Sequence, residues 1–213
     1  MSIRENINLI KGSIPSNVIL IAVSKTRPNI DILSAYNTGQ RIFGENKIQE
    51  LVKKQEELPD NIRWHMIGHL QTNKVKYIAP FISLIHAVDS IKLLQEINKR
   101  AEQNNRIIDC LLQVHIATET TKFGFNINEI ENAIKESNKF KNINIKGLMG
   151  MATFTNNTEQ INTEFKKISL LFEKVKSNTL NTLSIGMSGD YKLAIDHGST
   201  MIRIGSAIFG NRN

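Results

Sequence analysis

The 213-residue sequence predicts an α/β fold, a closed (β/α)8 TIM barrel. Three observations lead there. Eight short apolar runs recur along the chain, stretches of helical spacing lie between them, and a polar cluster follows each run. Alternating strands and helices call for a parallel sheet. Eight strands with intervening helices can close on themselves, although 213 residues is near the short end for such a barrel. A doubly wound open sheet is the structural alternative.

In chain order the runs are VILIAVS from Val18, RIFG from Arg41, WHMIG from Trp64, SLIHAVD from Ser83, CLLQVHI from Cys110, IKGLMG from Ile145, LSIGM from Leu183 and MIRIG from Met201. They are rich in Ile, Val and Leu, as buried strands are. The first delivers a lysine, Lys25, to its tip. Gly44 to Asn46 follow the second, GHLQTNK (Gly68 to Lys74) the third, and Asp89 with Ser90 the fourth. HIATETTKFG (His115 to Gly124) follows the fifth, MATF the sixth, Ser188 to Asp190 the seventh, and GSAIFG (Gly205 to Gly210) the eighth. In a barrel the loops after the strands build the active face, so these groups are expected at one mouth. Polar residues follow strands in any α/β protein, so the pattern alone names no function.

Four intervening stretches carry explicit helical signals. In DSIKLLQEINKRAEQ, Leu93, Leu94, Ile97 and Ala101 share a face, and Asp89 with Ser90 reads as the cap. In NINEIENAIKES, Asn128 is the expected cap, with Glu131 three residues on. In TEQINTEFKKISLLFEKVKS, Ile161, Phe165, Ile168, Phe172 and Val175 recur at helical spacing. DYKLAIDHGS is a short helix with Gly198 placed to end it. No Pro- or Gly-rich linker divides the chain, so residues 1–213 are expected to form a single domain.

Composition narrows the function classes. The net charge is +7 and the pI about 9.5, which raises a nucleic-acid partner as one reading. The lysines fall in scattered pairs, 53–54 and 166–167, and aromatics are only 6% with none interleaved among basic residues. A mildly basic surface on a small-molecule protein is the better reading. No apolar run approaches the roughly 20 residues of a membrane helix, and the start, MSIRENINLIKGSIP, has no secretory pattern. The one cysteine, Cys110, can form no internal disulfide. A cytoplasmic protein without nucleic-acid or membrane partners is expected.

The last two loops carry more chemistry. Barrels often hold a phosphate with the loops after strands 7 and 8, where small residues let backbone N–H groups approach the oxygens. Ser188, Gly189, Gly205 and Ser206 are supplied there. Two turns that merely close the barrel are the other reading. Lys25 is a solvated charge, a phosphate clamp, or an amine that condenses with a carbonyl. Arg203 lies two residues before Gly205, on the same strand face. An amine and a guanidinium facing a phosphate-binding turn suit a phosphorylated aldehyde. Pyridoxal 5'-phosphate (PLP) has that chemistry, and other phosphate-binding barrels fit the residues as well.

The motif WHMIGHLQTNKVKYI (Trp64 to Ile78) resembles the signature of the pyridoxal phosphate homeostasis protein family, whose members resemble the N-terminal barrel of alanine racemase. AVSKT, FGENKIQE, AVDSIKLL, LLQVHIATETTKFGF, KGLMGMATF, LSIGMSGDYKLAI and GSTMIRIGSAIFG extend the match over nearly the whole chain in the family's order. The resemblance implies a barrel of the alanine racemase N-terminal type. It implies that Lys25 holds PLP as a Schiff base, that Ser188, Gly205 and Ser206 hold the phosphate, and that Arg203 faces the pyridine nitrogen. Asn46 matches a residue near the cofactor. The implied role is reversible PLP binding in vitamin B6 and amino-acid homeostasis, with transient apo-enzyme recipients and little or no turnover. A PLP-dependent, racemase-like enzyme acting on a small amino acid is the alternative. Two departures bear on the substrate side: His115 stands where the family usually has Asn, and GLMGMA where it often has GLMAIP.

The expectation of little turnover has a physical basis. An arginine at the pyridine nitrogen disfavours its protonation and weakens the ring as an electron sink. Racemisation also needs a second acid/base, which in alanine racemase comes from a tyrosine of a further domain. This sequence ends at Asn213, just after the eighth run, so no such domain and a monomer are expected. None of Tyr36, Tyr77 and Tyr191 is expected in that role. His65 reads as a packed core histidine and His69 as a residue that fixes its loop. His86, His115 and His197 show no metal-ligand spacing. Lys74 and Lys122 read as surface lysines, with an anion contact the alternative.

Overall fold

Residues 1–119 and 123–210 are described by the computed structural model of the chain. Eight strands, β1 (Ile19–Val23), β2 (Ile42–Glu45), β3 (Arg63–Met66), β4 (Leu84–Val88), β5 (Ile108–Val114), β6 (Ile143–Gly150), β7 (Thr182–Ser184) and β8 (Met201–Ile204), pair in parallel in chain order. β8 returns to β1, with Ile19 opposite Met201 and Ile21 opposite Arg203, so the barrel is closed. The open-sheet alternative is set aside. Around the strands run α1 (Ile3–Ser13), α2 (Asn29–Tyr36), α3 (Ile48–Glu57), α4 (Val75–Ile78), α5 (Ile91–Gln103), α6 (Ile130–Ser137), α7 (Thr158–Val175), α8 (Tyr191–Asp196) and α9 (Ser206–Phe209).

Alternation along the strands sends side chains to two separate cores. Ile21, Ile42, Leu84, Leu111, Met149 and Met201 fill the lower bore. Their neighbours, such as Ala22, Phe43, Trp64, Ile85 and Leu112, meet the helices. Both faces are covered, which is why the strands read as continuous apolar runs rather than as alternating ones. Each fully buried Ile or Leu contributes about 1.5–3 kcal/mol. The α5 face predicted from Leu93, Leu94, Ile97 and Ala101 is buried. On α7, Phe165, Ile168 and Phe172 are buried, while Ile161 and Val175 are partly so.

The caps correct two expectations. Ser90 Oγ accepts the Leu93 N–H at 3.3 Å and caps α5 alone, because Asp89 turns to His69 instead. Asn128 does not cap α6. It lies inside a 3-10 turn, Ile127–Glu129, that opens at Asn126, whose N–H donates to Glu129 Oε2 at 2.7 Å. Gly198, at φ +83°, ends α8 as expected. The first three helices carry no flagged periodicity, yet α1 opens on a capping box between Ser2 and Glu5.

One irregularity shapes the barrel wall. Opposite β5, Cys110 pairs with Ile145 but Leu111 with Gly147, so Lys146 is an extra residue on β6. Such an insertion bends the strand locally. Gly147 there presses on β7, and a Cβ at that position would sit 1.7 Å from the Thr182 carbonyl oxygen. Among the described residues, no helix is long and apolar enough to cross a membrane.

Candidate functional site

Strand register brings Lys25 and Asn46 together. Val23 pairs with Gly44, and each of the two residues lies two positions further along its strand, on the bore side of the mouth. Gly205 completes a row of three strand tips, because a Cβ added there would meet Val23 Cβ at 3.4 Å. Asn46 Oδ1 is buried and has no hydrogen-bond partner among the described residues. An unsatisfied buried oxygen costs about 1–3 kcal/mol, so this atom is available to a ligand's donor. Gly68 backs it: a Cβ there would lie 2.6 Å from the Asn46 carbonyl oxygen.

The backbone that carries Lys25 is held from behind. Lys54 Nζ spends its three protons on Ser24 O at 2.8 Å, Glu45 Oε1 at 2.8 Å and Glu50 Oε1 at 2.6 Å. Ser24 Oγ also donates to Glu45 Oε1 at 2.6 Å, and the Thr26 N–H to Glu50 Oε1 at 2.5 Å. Both residues flanking Lys25 are therefore tied to α3 and β2. Thr26 sits at φ +65°, a left-handed conformation costly for a β-branched residue. Burial raises the Glu45 carboxyl above its usual range, with Lys54 pulling the other way. The sequence reading placed Lys54 among scattered surface lysines, and here it is corrected. Its ammonium is buried, because two glutamates and a carbonyl replace its water.

Across the bore, Arg203 lies one in-facing position below Gly205 and is 4% exposed. Its Nη1 donates to Ser184 O at 2.8 Å and Ser184 Oγ at 2.7 Å, and its Nη2 to Gly150 O at 2.9 Å. Burial lowers its pKa to about 10, with Asp190 pulling it up, so it stays charged at neutral pH. Among the described residues no carboxylate forms an ion pair with it. Beneath it Ser184 Oγ lies 3.2 Å from His86 Nδ1, and His86 Nε2 lies 3.0 Å from His65 Nδ1. Burial drives His65 to about 3 and His86 well below its ordinary value, so both are neutral. With Arg203 donating to Ser184, the consistent proton order runs from Ser184 O–H to His86 Nδ1 and from His86 Nε2–H to His65 Nδ1. The chain holds the guanidinium by hydrogen bonds to neutral groups. His65 is thus the hydrogen-bonded core residue expected.

The remaining predicted residues gather at the tips of β7 and β8. Ser188 Oγ accepts the Gly205 N–H at 3.2 Å and the Ala207 N–H at 3.4 Å, with Ser206 exposed between them. A hydroxyl oxygen over two amides marks a place where those N–H groups welcome an acceptor. Gly189 is exposed beside it. Arg203 thus lies on β8, and Lys25, Asn46 and Gly205 lie just past the ends of the neighbouring strands β1, β2 and β8, with Ser188 bonded to the Gly205 N–H and Ser206 adjacent. His69 Nδ1 lies 3.0 Å from Asp89 Oδ2 and its ring stacks on Phe123 at 3.8 Å, which fixes the loop after β3. His115 Nε2 binds Ala117 O, and His197 binds Asn162. Lys74 lies over the Tyr77 ring. Lys122 lies outside the described residues. Among the described residues no group of three or more His, Cys, Asp or Glu is placed to hold a metal. The sequence reading placed Gly68 and Glu45 only within the loops expected at the mouth, and it missed the packing of Gly68 on Asn46 and the Glu45–Glu50–Lys54 set. The only signal was Glu50 and Lys54 at i, i+4, which reads as a solvated helix pair.

Comparison with known proteins adds to this geometry. The family described as alanine racemase, N-terminal domain, matches residues 1–213. The pyridoxal phosphate homeostasis protein of Aquifex aeolicus is 39% identical over 91% of this chain and 86% of its own length. That of Vibrio alginolyticus is 38% identical over 95% and 90%. Among solved structures, PipY of Synechococcus elongatus PCC7942 with PLP bound superposes with a TM-score of 0.90 at 31% identity, over 98% of this chain and all of that one (100%). Alanine racemase of Clostridium difficile 630 shares the fold, with a TM-score of 0.81 at 15% identity over 99% of this chain and 57% of that one.

Proposed function

The chain belongs to the alanine racemase N-terminal domain family and, within it, to the pyridoxal phosphate homeostasis proteins, and from that premise we propose that it binds PLP reversibly at the barrel mouth. Its role is intracellular vitamin B6 and amino-acid homeostasis, with little or no turnover. When bound, PLP supplies an aldehyde that condenses with an amine with loss of water, a phosphate dianion and a pyridine ring. The residues at the mouth fit those three parts. Lys25 is the amine that holds the aldehyde carbon covalently, as a Schiff base. Ser188, Gly205 and Ser206 take the phosphate. Asn46, with its buried unpartnered oxygen, orients the ring edge.

Arg203 is the observation that carries this reading. A cation buried without an ion-paired carboxylate is costly; burial depresses the Arg203 pKa despite the pull of Asp190, and a ligand acceptor beside the guanidinium offsets part of that cost. Arg203 would face the ring nitrogen and can only donate, which would disfavour a proton on that nitrogen and leave the ring a weak electron sink. Two of the three tyrosines are engaged elsewhere: Tyr36 O–H donates to Asn61 Oδ1, and Tyr77 lies under Lys74 and Lys76. Residues 1–213 act as one domain and, we propose, as a cytoplasmic monomer that passes PLP to apo-enzymes.

Hydride trapping tests the assignment. Borohydride reduction of PLP-treated protein is expected to add one PLP to the intact mass, on the peptide containing Lys25, and Lys25→Ala is expected to lose it. An adduct elsewhere, or none, refutes the site. Turnover of L-alanine to D-alanine by the pure protein would refute the carrier reading and favour the enzyme.

A further inference from the structure

The face opposite the mouth holds a second group of cations. Lys11 lies in the last turn of α1, Arg41 precedes β2 and Arg63 begins β3, and the three line one cleft of about 390 Å³ with Val18, Ile19 and Ile42 among its apolar walls. No carboxylate lines it. Among the described residues none of the three forms an ion pair. Arg41 is held stiff, its guanidinium 3.8 Å from the Tyr36 ring centroid and its Nη1 donating to Tyr36 O and Gln40 O. Burial and the nearby Arg41 charge both depress the Lys11 pKa. Arg63 is felt as far as His65, whose protonation it opposes.

Like charges gathered at a concave surface without a counter-charge raise the free energy of the bare protein, and an anion settling among them lowers it. The chain pairs its cations readily elsewhere, as at Arg100–Glu96 and Lys174–Glu131, so the lack of a carboxylate here is local. Ile19 is 42% exposed on this face, at the start of a strand whose next three residues are buried. Charged heads beside a bare apolar wall suit a ligand with both features. A guanidinium fork matches a phosphate, and a lysine adds a point charge.

We propose that the cleft of Lys11, Arg41 and Arg63, at the N-terminal end of the barrel, is an anion site for a phosphate monoester with a small apolar body, separate from the mouth. The site is built from the loops that enter β1, β2 and β3, whereas Lys25, Asn46 and Ser188 lie where strands end. It stands independently of the PLP reading.

Titration of 15N-labelled protein with phenyl phosphate, followed by NMR, tests it. The backbone amides of Ser16, Ile19, Gly39, Arg41 and Arg63 are expected to shift together with one dissociation constant. Lys11→Gln with Arg63→Gln is expected to weaken that constant at least about tenfold, and Lys25→Ala to leave it unchanged. Arg63→Gln alone, at an exposed side chain, is expected to weaken it in the same direction and serves if the double variant does not fold. Phenol, the uncharged analogue, is expected to leave these amides unmoved. The proposal is overturned if the amides stay still with phenyl phosphate, if phenol moves them equally, or if the charge-removing variants bind as tightly as the parent.

Discussion

At the scale of single residues, the most informative position is beside Lys25 rather than at it. Thr26 is held at φ +65° by its N–H bond to Glu50 and by a turn in which the Arg27 N–H donates to Ser24 O. The left-handed conformation costs an L-residue about 1–2 kcal/mol, and glycine gives back part of that through its freer unfolded chain. Thr26→Gly is therefore expected to raise stability by roughly 1 kcal/mol or less, read as a higher urea midpoint. A lower midpoint would show that the hydroxyl and methyl matter more than the strain. Gly68 gives a second test. Adding a methyl there drives against the Asn46 backbone. Gly68→Ala is expected to weaken PLP binding about tenfold or more, a displacement of a positioned group being worth that much, measured by fluorescence titration. Unchanged affinity would remove Asn46 from the site. Lys25 stood out as a candidate in the sequence because a lysine at the tip of an apolar strand is anomalous. Thr26 and Gly68 were not, because neither a backbone angle nor a contact between loops leaves a mark in residue type.

At the scale of elements, the strands read cleanly and the helices unevenly. Eight apolar runs gave eight strands because both sheet faces are covered and every strand position is under the same pressure. The helices α5 and α7 announced themselves by a buried stripe, and α6 by its Asn–x–x–Glu spacing. α2 did not, with its mixed polar and apolar NIDILSAY. The shift from Asn128 to Asn126 arose because two Asn–x–x–Glu spacings overlap in NINEIE, and the first of them forms the capping box. The α3 surface was misread most, since Lys54 looks solvated until β2 supplies Glu45. That three-charge joint makes its own prediction. Lys54→Met leaves Glu45 buried beside Ser24 without a counter-charge, at a cost of about 3–5 kcal/mol. Lys54→Met combined with Glu45→Leu is expected to recover most of it, since an apolar pair can replace a buried ion pair. Urea unfolding of the two variants checks both values, and equal losses would mean that packing, not charge, is what the joint supplies.

At the scale of the whole molecule, the bore is wired across its width. His65 on β3, His86 on β4, Ser184 on β7 and Arg203 on β8 form one hydrogen-bonded line that spans strands from two sides of the barrel. Both imidazoles are neutral when folded and protonate near 6.5 when unfolded. The unfolded chain therefore takes up more protons below pH 6.5, and stability present above that pH is lost as it falls toward the folded value of about 3. His65 alone is expected to remove about 2 kcal/mol between pH 7 and pH 5, and His86 acts in the same direction. Glu45, raised by burial, opposes this in its own range, so the comparison to make is with His65→Gln/His86→Gln. The parent's urea midpoint is expected to drop between those pH values by clearly more than the variant's. An equal drop would mean that the histidines are not the acid-sensitive element.

The buried guanidinium at the end of that line has one more consequence. Any anion that settles beside Arg203 binds the native barrel and not the unravelled chain, so occupancy adds to the unfolding free energy by mass action. If the proposed ligand sits there, scarcity is expected to shorten the protein's lifetime against unfolding and proteolysis, and plenty to lengthen it.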